Sequence, residues 1–179
     1  LAGDILSRLQ NAGFPHAGNA HRGFDHGAFV PLKLAYPRAE IPTLQLSLVR
    51  GLDADTHFRI GQALQPLRDE GVFIVGSGMS YHNMGKLMAN FRRPSWEMTR
   101  LDDAREFDEW LAESVSMEPS RRRTRLIEWE KAKSARSAHP REEHLIPLHV
   151  IAGAAAADTA TLPYRDTILG AQVSAVHFG

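Results

Sequence analysis

The spacing of apolar side chains divides the chain into alternating helical and extended stretches. Ile5, Leu6 and Leu9 fall on one side of an amphipathic helix over residues 1–12. Asp25-His26-Gly27 opens onto the apolar run 28–36, which reads as a short buried helix beginning near Asp25. After Pro42, Thr43-Leu44-Gln45-Leu46-Ser47-Leu48 alternates strictly, the period of a strand with one covered face. Ile60, Ala63, Leu64 and Leu67 recur at helical spacing behind Asp55, which is placed to cap them. Pro66 bends or ends that helix and Gly71 closes it. Val72-Phe73-Ile74-Val75 is apolar throughout and runs into Gly76-Ser77-Gly78, the pattern of a buried central strand entering an exposed turn.

Further along, Phe107, Trp110, Leu111 and Val115 predict an amphipathic helix over residues 102–116, and Leu126, Ile127 and Trp129 a second over 121–133. Glu118-Pro119-Ser120 reads as the turn and new cap between them. Residues 139–157 read as a loop feeding a mostly buried helix, and 164–169 and 172–178 as closing strands. Helices alternate with short strands, without an internal repeat or a low-complexity linker. The expectation is one α/β domain over residues 1–179, with a central, mainly parallel or mixed sheet and helices on both faces. Because Leu1 already lies inside a helical pattern, the chain reads as entered midway through that domain.

Composition narrows the function. Lys plus Arg and Asp plus Glu both number 21, so no net field draws the protein to nucleic acid or to an anionic membrane, and a small or locally recognised partner is expected. With no cysteine, disulfides, thiolate metal sites and Cys nucleophiles are excluded, so any metal must sit on His, Asp or Glu. No stretch reaches the roughly 18 continuous apolar residues of a membrane span, and the expectation is a soluble cytoplasmic protein.

Nine histidines carry most of the candidate chemistry. His82 follows the Gly76-Ser77-Gly78 turn, where an imidazole with an unperturbed pKa near ~6.5 can bind metal or shuttle a proton; a capped turn histidine is the alternative. His26 sits at a helix start beside Asp25, which could orient its ring, although Asp-His-Gly is also an ordinary helix entry. His139 and His144 bracket Pro140-Arg141-Glu142-Glu143 with no common zinc spacing. His149 lies about 140° around a helix from His144, so the pair cannot share a metal from one regular helix, and His149 reads as a packed core residue. His57 reads as a solvent-facing helix residue, and His177 as structural; His16 and His21 have no supporting context. Arg121-Arg122-Arg123-Thr124-Arg125 is flanked by Glu118, Glu128 and Glu130 and reads as a solvated helix start. Ser77 lacks both the Gly-x-Ser-x-Gly elbow and the lysine of a phosphate loop.

Taken in order, Gly23-Phe24-Asp25-His26-Gly27, residues 42–48, Leu67-Arg68-Asp69-Glu70-Gly71, Gly76-Ser77-Gly78 through His82-Asn83, and Glu143-His144-Leu145-Ile146-Pro147-Leu148 resemble one family. It is the class III extradiol ring-cleavage dioxygenases, in the branch of DOPA 4,5-dioxygenase and the catalytic B subunit of protocatechuate 4,5-dioxygenase. The resemblance spans about residues 23–155 and implies that the chain is the C-terminal two-thirds of such a catalytic domain. It implies a nonhaem Fe(2+) centre, with Zn(2+) in some members. It also implies His82 as ligand or acid/base, His144 as ligand and His26 as a catalytic histidine facing the substrate. His139 is a weaker carry-over, since the family does not always have histidine there. Two further metal-binding histidines of the family have no counterpart before His26, and residues 91–137 match none of its motifs.

The implied substrates are a catechol-type aromatic and O2. The catecholate would bind through both oxygens, and a histidine, His26 or else His82, would take and return its second proton. Two alternatives compete with this reading. One is a noncatalytic relative that binds a peptide or small ligand, and the other is a zinc-dependent hydrolase on a similar sheet.

Overall fold

A computed structural model describes residues 1–179, and its order is α1 (Ala2–Asn11), α2 (His26–Ala35), α3 (Ala54–Leu64), α4 (Met84–Phe91), α5 (Asp102–Ser116), α6 (Pro119–Ile127), α7 (Ala135–Ala138), α8 (Ile146–Ala154), β1 (Ala160–Ile168) and β2 (Ala171–Phe178). No helix is long and apolar enough to cross a membrane. Six of the helices form where periodicity places them, whereas α4 and α7 were not expected and the helix expected over 121–133 ends at Ile127. Asp25 caps α2 by accepting the Ala28 N–H, and Glu118 caps α6 by accepting from Ser120 and Arg121. The cap of α3 is Asp53, which accepts the Thr56 N–H; the expected cap, Asp55, lies in the first turn and pairs with Arg123 instead.

The central packing contact is α3 against α8, and two glycines allow it. A Cβ on Gly61 would lie 2.0 Å from the Val150 carbonyl oxygen, and one on Gly153 would lie 2.0 Å from that of Phe58, so neither position has room for a side chain. Around this crossing Phe58, Leu111, Val115, Leu126 and Ala152 form one buried cluster, and Leu9, Ile60, Leu64 and Leu67 a second under α1. The largest cluster includes Tyr81, Leu87, Phe107, Trp129, Leu145 and Ile146 and lies directly behind the loops that carry His82 and His144.

The fold mixes helix and strand, but its one sheet is the antiparallel hairpin β1–β2, so the expected central sheet is not among its elements. Leu169 and Gly170, at φ 51° and 78°, form the two-residue turn, whose positive dihedrals match the twist of paired strands. The register shifts between Thr161 and Tyr164, where Pro163 has no N–H to donate. Residues 43–48 and 72–75, both expected as strands, run extended but unpaired. A strand is completed only by a neighbouring ladder; Leu44, Leu46, Phe73 and Val75 stand exposed, Phe73 at 75%, while Leu48, Val72 and Ile74 pack half-buried on the core. Nor is α2 buried: Leu34 is 81% exposed and no α2 residue is in the core.

Two charge readings also change. His57 is 1% exposed, not solvent-facing, because residues 49–53 fold back over α3. Its Nδ1 donates to the Asp53 carbonyl at 2.7 Å and its Nε2 accepts the Val49 N–H at 3.0 Å. Within the arginine run, Arg122 is 1% exposed and closes the carbonyls of Ala156 and Asp158, both at 2.8 Å, over the Phe178 ring. Arg121 alone of the four remains largely free in solvent, since Arg123 and Arg125 pair with Asp55 and Glu113.

Candidate metal centre and active site

Three stretches distant in sequence meet at one place. The first is the segment after residue 75, which packs against the start of α8 with no space between the backbones. A Cβ on Gly76 would lie 2.8 Å from the Pro147 carbonyl oxygen, and one on Gly78 would lie 2.1 Å from that of His144. Gly76-Ser77-Gly78 is therefore the spacing device that lets the chain run past His144 and deliver His82. Immediately afterwards Asn83 caps α4 through Lys86 N–H and donates its Nδ2 to the Ser137 carbonyl at 2.8 Å, fixing the direction of the turn that holds His82.

The second stretch is the turn before α8. Leu145 and Ile146 donate their N–H groups to the Glu142 carbonyl at 2.8 and 2.9 Å, and Pro147 follows in the first turn of α8, so Glu143 and His144 sit on a tight bend. The third is the start of α2, where the Gly27 position lies within reach of the Ser77 hydroxyl and brings His26 alongside.

The His82 and His144 rings stack at a centroid distance of 3.6 Å with 23° between planes, and His26 lies 6.4 Å from His144. One donor atom from each of His82, Glu143 and His144 falls within 4.8 Å of the others, all half-buried. His26 is exposed at the rim. The sequence pattern brought out His82, His144 and His26, and the fold places them together; Glu143 was not singled out. Its signal was its place beside His144 on a bend that turns consecutive side chains to one side.

The chemistry of these donors fits a divalent cation. Burial holds both His82 and His144 below the ordinary imidazole range; Glu143 opposes the shift at each, and the neighbouring His82 and His26 further lower His144. Near neutral pH both therefore keep the lone pair that ligation needs. The Glu143 Oε2 is buried without a hydrogen bond, lying 3.2 Å from the Arg141 Nε without the alignment of one. A carboxylate whose ion pair with Arg141 leaves Oε2 without a hydrogen bond, set beside two neutral imidazoles, is a donor set that a divalent cation could use. Two imidazoles and one carboxylate suit first-row metals such as iron and zinc.

The other histidines lie outside this group. His149 is fully buried, with Nε2 on the Leu126 carbonyl at 2.8 Å, the packed role its spacing predicts. His139 is also fully buried, and its Nε2 meets the Ser80 carbonyl at 3.0 Å. His16 bonds only the nearby Phe14 carbonyl. A polar knot that periodicity could not reveal supports the His82 loop: the Asp103 Oδ2 accepts from Tyr81, Lys86 and Ser137 at 3.0, 2.8 and 2.7 Å. Burial alone would raise the Asp103 pKa, but these three bonds outweigh it and hold the carboxyl below its usual range.

The chain belongs to the family described as the catalytic LigB subunit of aromatic ring-opening dioxygenase, which it matches over residues 1–173. It is 41% identical over 161 residues to the 4,5-DOPA dioxygenase extradiol of Beta vulgaris, a match covering 87% of this chain and 55% of that protein. It is 38% identical over 155 residues to the protein of the same name from Portulaca grandiflora, covering 86% and 55%. A crystal structure of an uncharacterized Escherichia coli K12 protein superposes with a TM-score of 0.83 at 26% identity, over 98% of this chain and 70% of that one. The chain thus spans about half the length of the curated relatives it matches.

Proposed function

We propose that the chain is part of an extradiol dioxygenase that opens a catechol-type ring with O2, DOPA-like or protocatechuate-like. In this reading His82, Glu143 and His144 hold a nonhaem metal and His26 faces the substrate. The observation that carries it is the convergence of one donor atom from each of these three residues within 4.8 Å, beside His26, in a member of a ring-opening dioxygenase family. The family resemblance implies two further metal-binding histidines, which no residue before His26 supplies, and the unpaired segments 43–48 and 72–75, with Leu44, Leu46, Phe73 and Val75 exposed, suit strands of a larger sheet.

Iron(II) bound there supplies the one-electron chemistry by which a singlet aromatic ring reacts with triplet dioxygen, chemistry that redox-inert zinc cannot supply. The protein's part is positioning and proton transfer. His82, Glu143 and His144 would hold the metal with three donor atoms, a small enough set to leave coordination positions for small molecules. An imidazole nitrogen of His26, at the exposed rim, takes the proton of the second catechol hydroxyl and later returns it to oxygen. His82 is assigned to the metal because its ring stacks on His144 rather than standing at the rim.

The test is oxygen uptake by the full-length protein loaded anaerobically with iron(II) and given DOPA, protocatechuate and simple catechols, beside His26→Ala. Metal-dependent uptake with a yellow semialdehyde product, lost in the variant, is expected. No uptake with metal demonstrably bound would overturn the reading.

A further inference from the structure

Besides the Asn83 Nδ2 bond to the Ser137 carbonyl, the stretches that carry His82 and His144 are joined by three hydrogen bonds, of which one comes from the His139 side chain. Met79 N–H donates to the His144 carbonyl at 3.1 Å and His82 N–H to the Ala138 carbonyl at 3.0 Å. The third joins the His139 Nε2 to the Ser80 carbonyl at 3.0 Å. A carbonyl only accepts, so Nε2 carries the hydrogen and Nδ1 is the bare nitrogen of a neutral ring. That Nδ1 is buried and has no partner. Phe107 and Trp129 enclose the ring edge-on, with centroids 5.1 and 6.1 Å away.

Packing alone does not account for this residue. An apolar side chain of similar volume would fill the same space without leaving a nitrogen unsatisfied in the core. What histidine adds is the one donor that reaches the Ser80 carbonyl, two residues before His82. Ser80 is held on its other side as well, because its Oγ accepts the Ser174 N–H from β2 at 2.8 Å. The segment is thus clamped between the hairpin and His139.

We propose that His139 is a positioning residue of the metal centre: it is not a ligand, but fixes the Met79–His82 stretch against the His144 bend so that His82 points at the same place as Glu143 and His144. The inference rests on the reading of those three residues as the metal-binding group.

Cobalt(II) titration of the full-length protein, followed by its visible absorption, tests it with two variants. His139→Leu removes the donor at similar volume, whereas His139→Gln keeps an N–H donor near the Nε2 position. In His139→Leu, affinity is expected to fall about 10- to 100-fold, the usual effect of losing a residue that orients a ligand, with shifted ligand-field bands. Metal-free thermal stability should stay near or above wild type, and His139→Gln should restore both spectrum and affinity. Wild-type affinity and spectrum in His139→Leu would overturn the proposal while leaving the metal centre standing. Parallel loss of stability and affinity without rescue by Gln would make the role merely structural and overturn it too. If the Leu variant does not fold, the Gln variant decides: a wild-type cobalt spectrum supports the positioning role and an altered one refutes it. If the wild-type protein takes up no cobalt, the metal reading fails and the proposal fails with it.

Discussion

Gln45 and Asp25 exchange two hydrogen bonds: the Asp25 N–H donates to the Gln45 Oε1 at 3.0 Å, and the Gln45 Nε2 donates to the Asp25 Oδ2 at 2.6 Å. The other carboxylate oxygen of Asp25 caps α2 on the Ala28 N–H. His26, the first residue of α2, therefore takes its place from a side chain in the unpaired extended segment rather than from core packing. Gln45→Ala is expected to cost about 1 kcal/mol of local stability, the net worth of a hydrogen bond, and so to speed hydrogen exchange at the Ala28 amide roughly fivefold. Cobalt affinity should stay the same, since no metal-binding side chain contacts Gln45. Unchanged exchange at Ala28 would show that Gln45 does not hold the helix start.

The donor set itself predicts a pH profile. Burial depresses the pKa of both His82 and His144, so protons compete for their nitrogens only below the ordinary imidazole range. Cobalt uptake should then be flat through neutral pH and decline only in more acid solution than ~6.5, the free imidazole value. Glu143→Gln removes the negative oxygen without changing shape and should lower cobalt affinity at least about tenfold at every pH. Half-uptake above the free imidazole value, or an unaltered affinity in the variant, would count against this group as the site.

Stability should depend on acid for a separate reason. Burial lowers the His139 pKa from 6.5 to about 4, against the opposing effect of the hydrogen bond to the Ser80 carbonyl. A histidine depressed in the folded state takes up its proton first in the unfolded chain, so folding stability is complete above about 6.5 and is lost as pH falls toward about 4. The fully developed loss is about 3 kcal/mol. His149, depressed chiefly by its complete burial, acts in the same direction. Urea unfolding of the metal-free protein at a series of pH values should show a slope in this window that His139→Leu makes shallower. An equal slope in the variant would place the acid sensitivity elsewhere.

The sequence carried six of the eight helices, because period and cap are local matters, but α4 and α7 were not legible and the helix expected over 121–133 ends at Ile127. The patterns around Phe107 and Leu111 and the two closing runs 164–169 and 172–178 lead to α5 and to strands β1 and β2. Residues 43–48 and 72–75 were legible as strands in pattern, but a pattern names only the wish for a neighbour, and neither segment has one here. In the site, His26, His82 and His144 could be found because histidine in a loop is conspicuous. Glu143 could not, since a carboxylate beside arginines looks like any surface charge until its oxygen is seen buried. His57 and Arg122 were misjudged for a related reason. Helical position says which residues share a face, not which loop folds over it.

Gly78 sets the distance between the two halves of the site more strictly than any hydrogen bond. A Cβ there would stand 2.1 Å from the His144 carbonyl oxygen, and both partners are backbone, so no side chain can move aside. Gly78→Ala must therefore push the His82 segment away from His144, breaking the Met79 N–H bond to the same carbonyl and separating the stacked rings. Overpacking of this kind costs roughly 3 kcal/mol, and cobalt affinity should fall with it by well over tenfold. Gly153→Ala is the control, because its Cβ would meet the Phe58 carbonyl oxygen at 2.0 Å in the α3–α8 crossing, away from the metal donors. It should lose similar stability, yet bind cobalt with nearly wild-type affinity at temperatures where both variants are folded. If the two variants lost affinity equally, the close approach at Gly78 would matter only for folding and not for the geometry of the site.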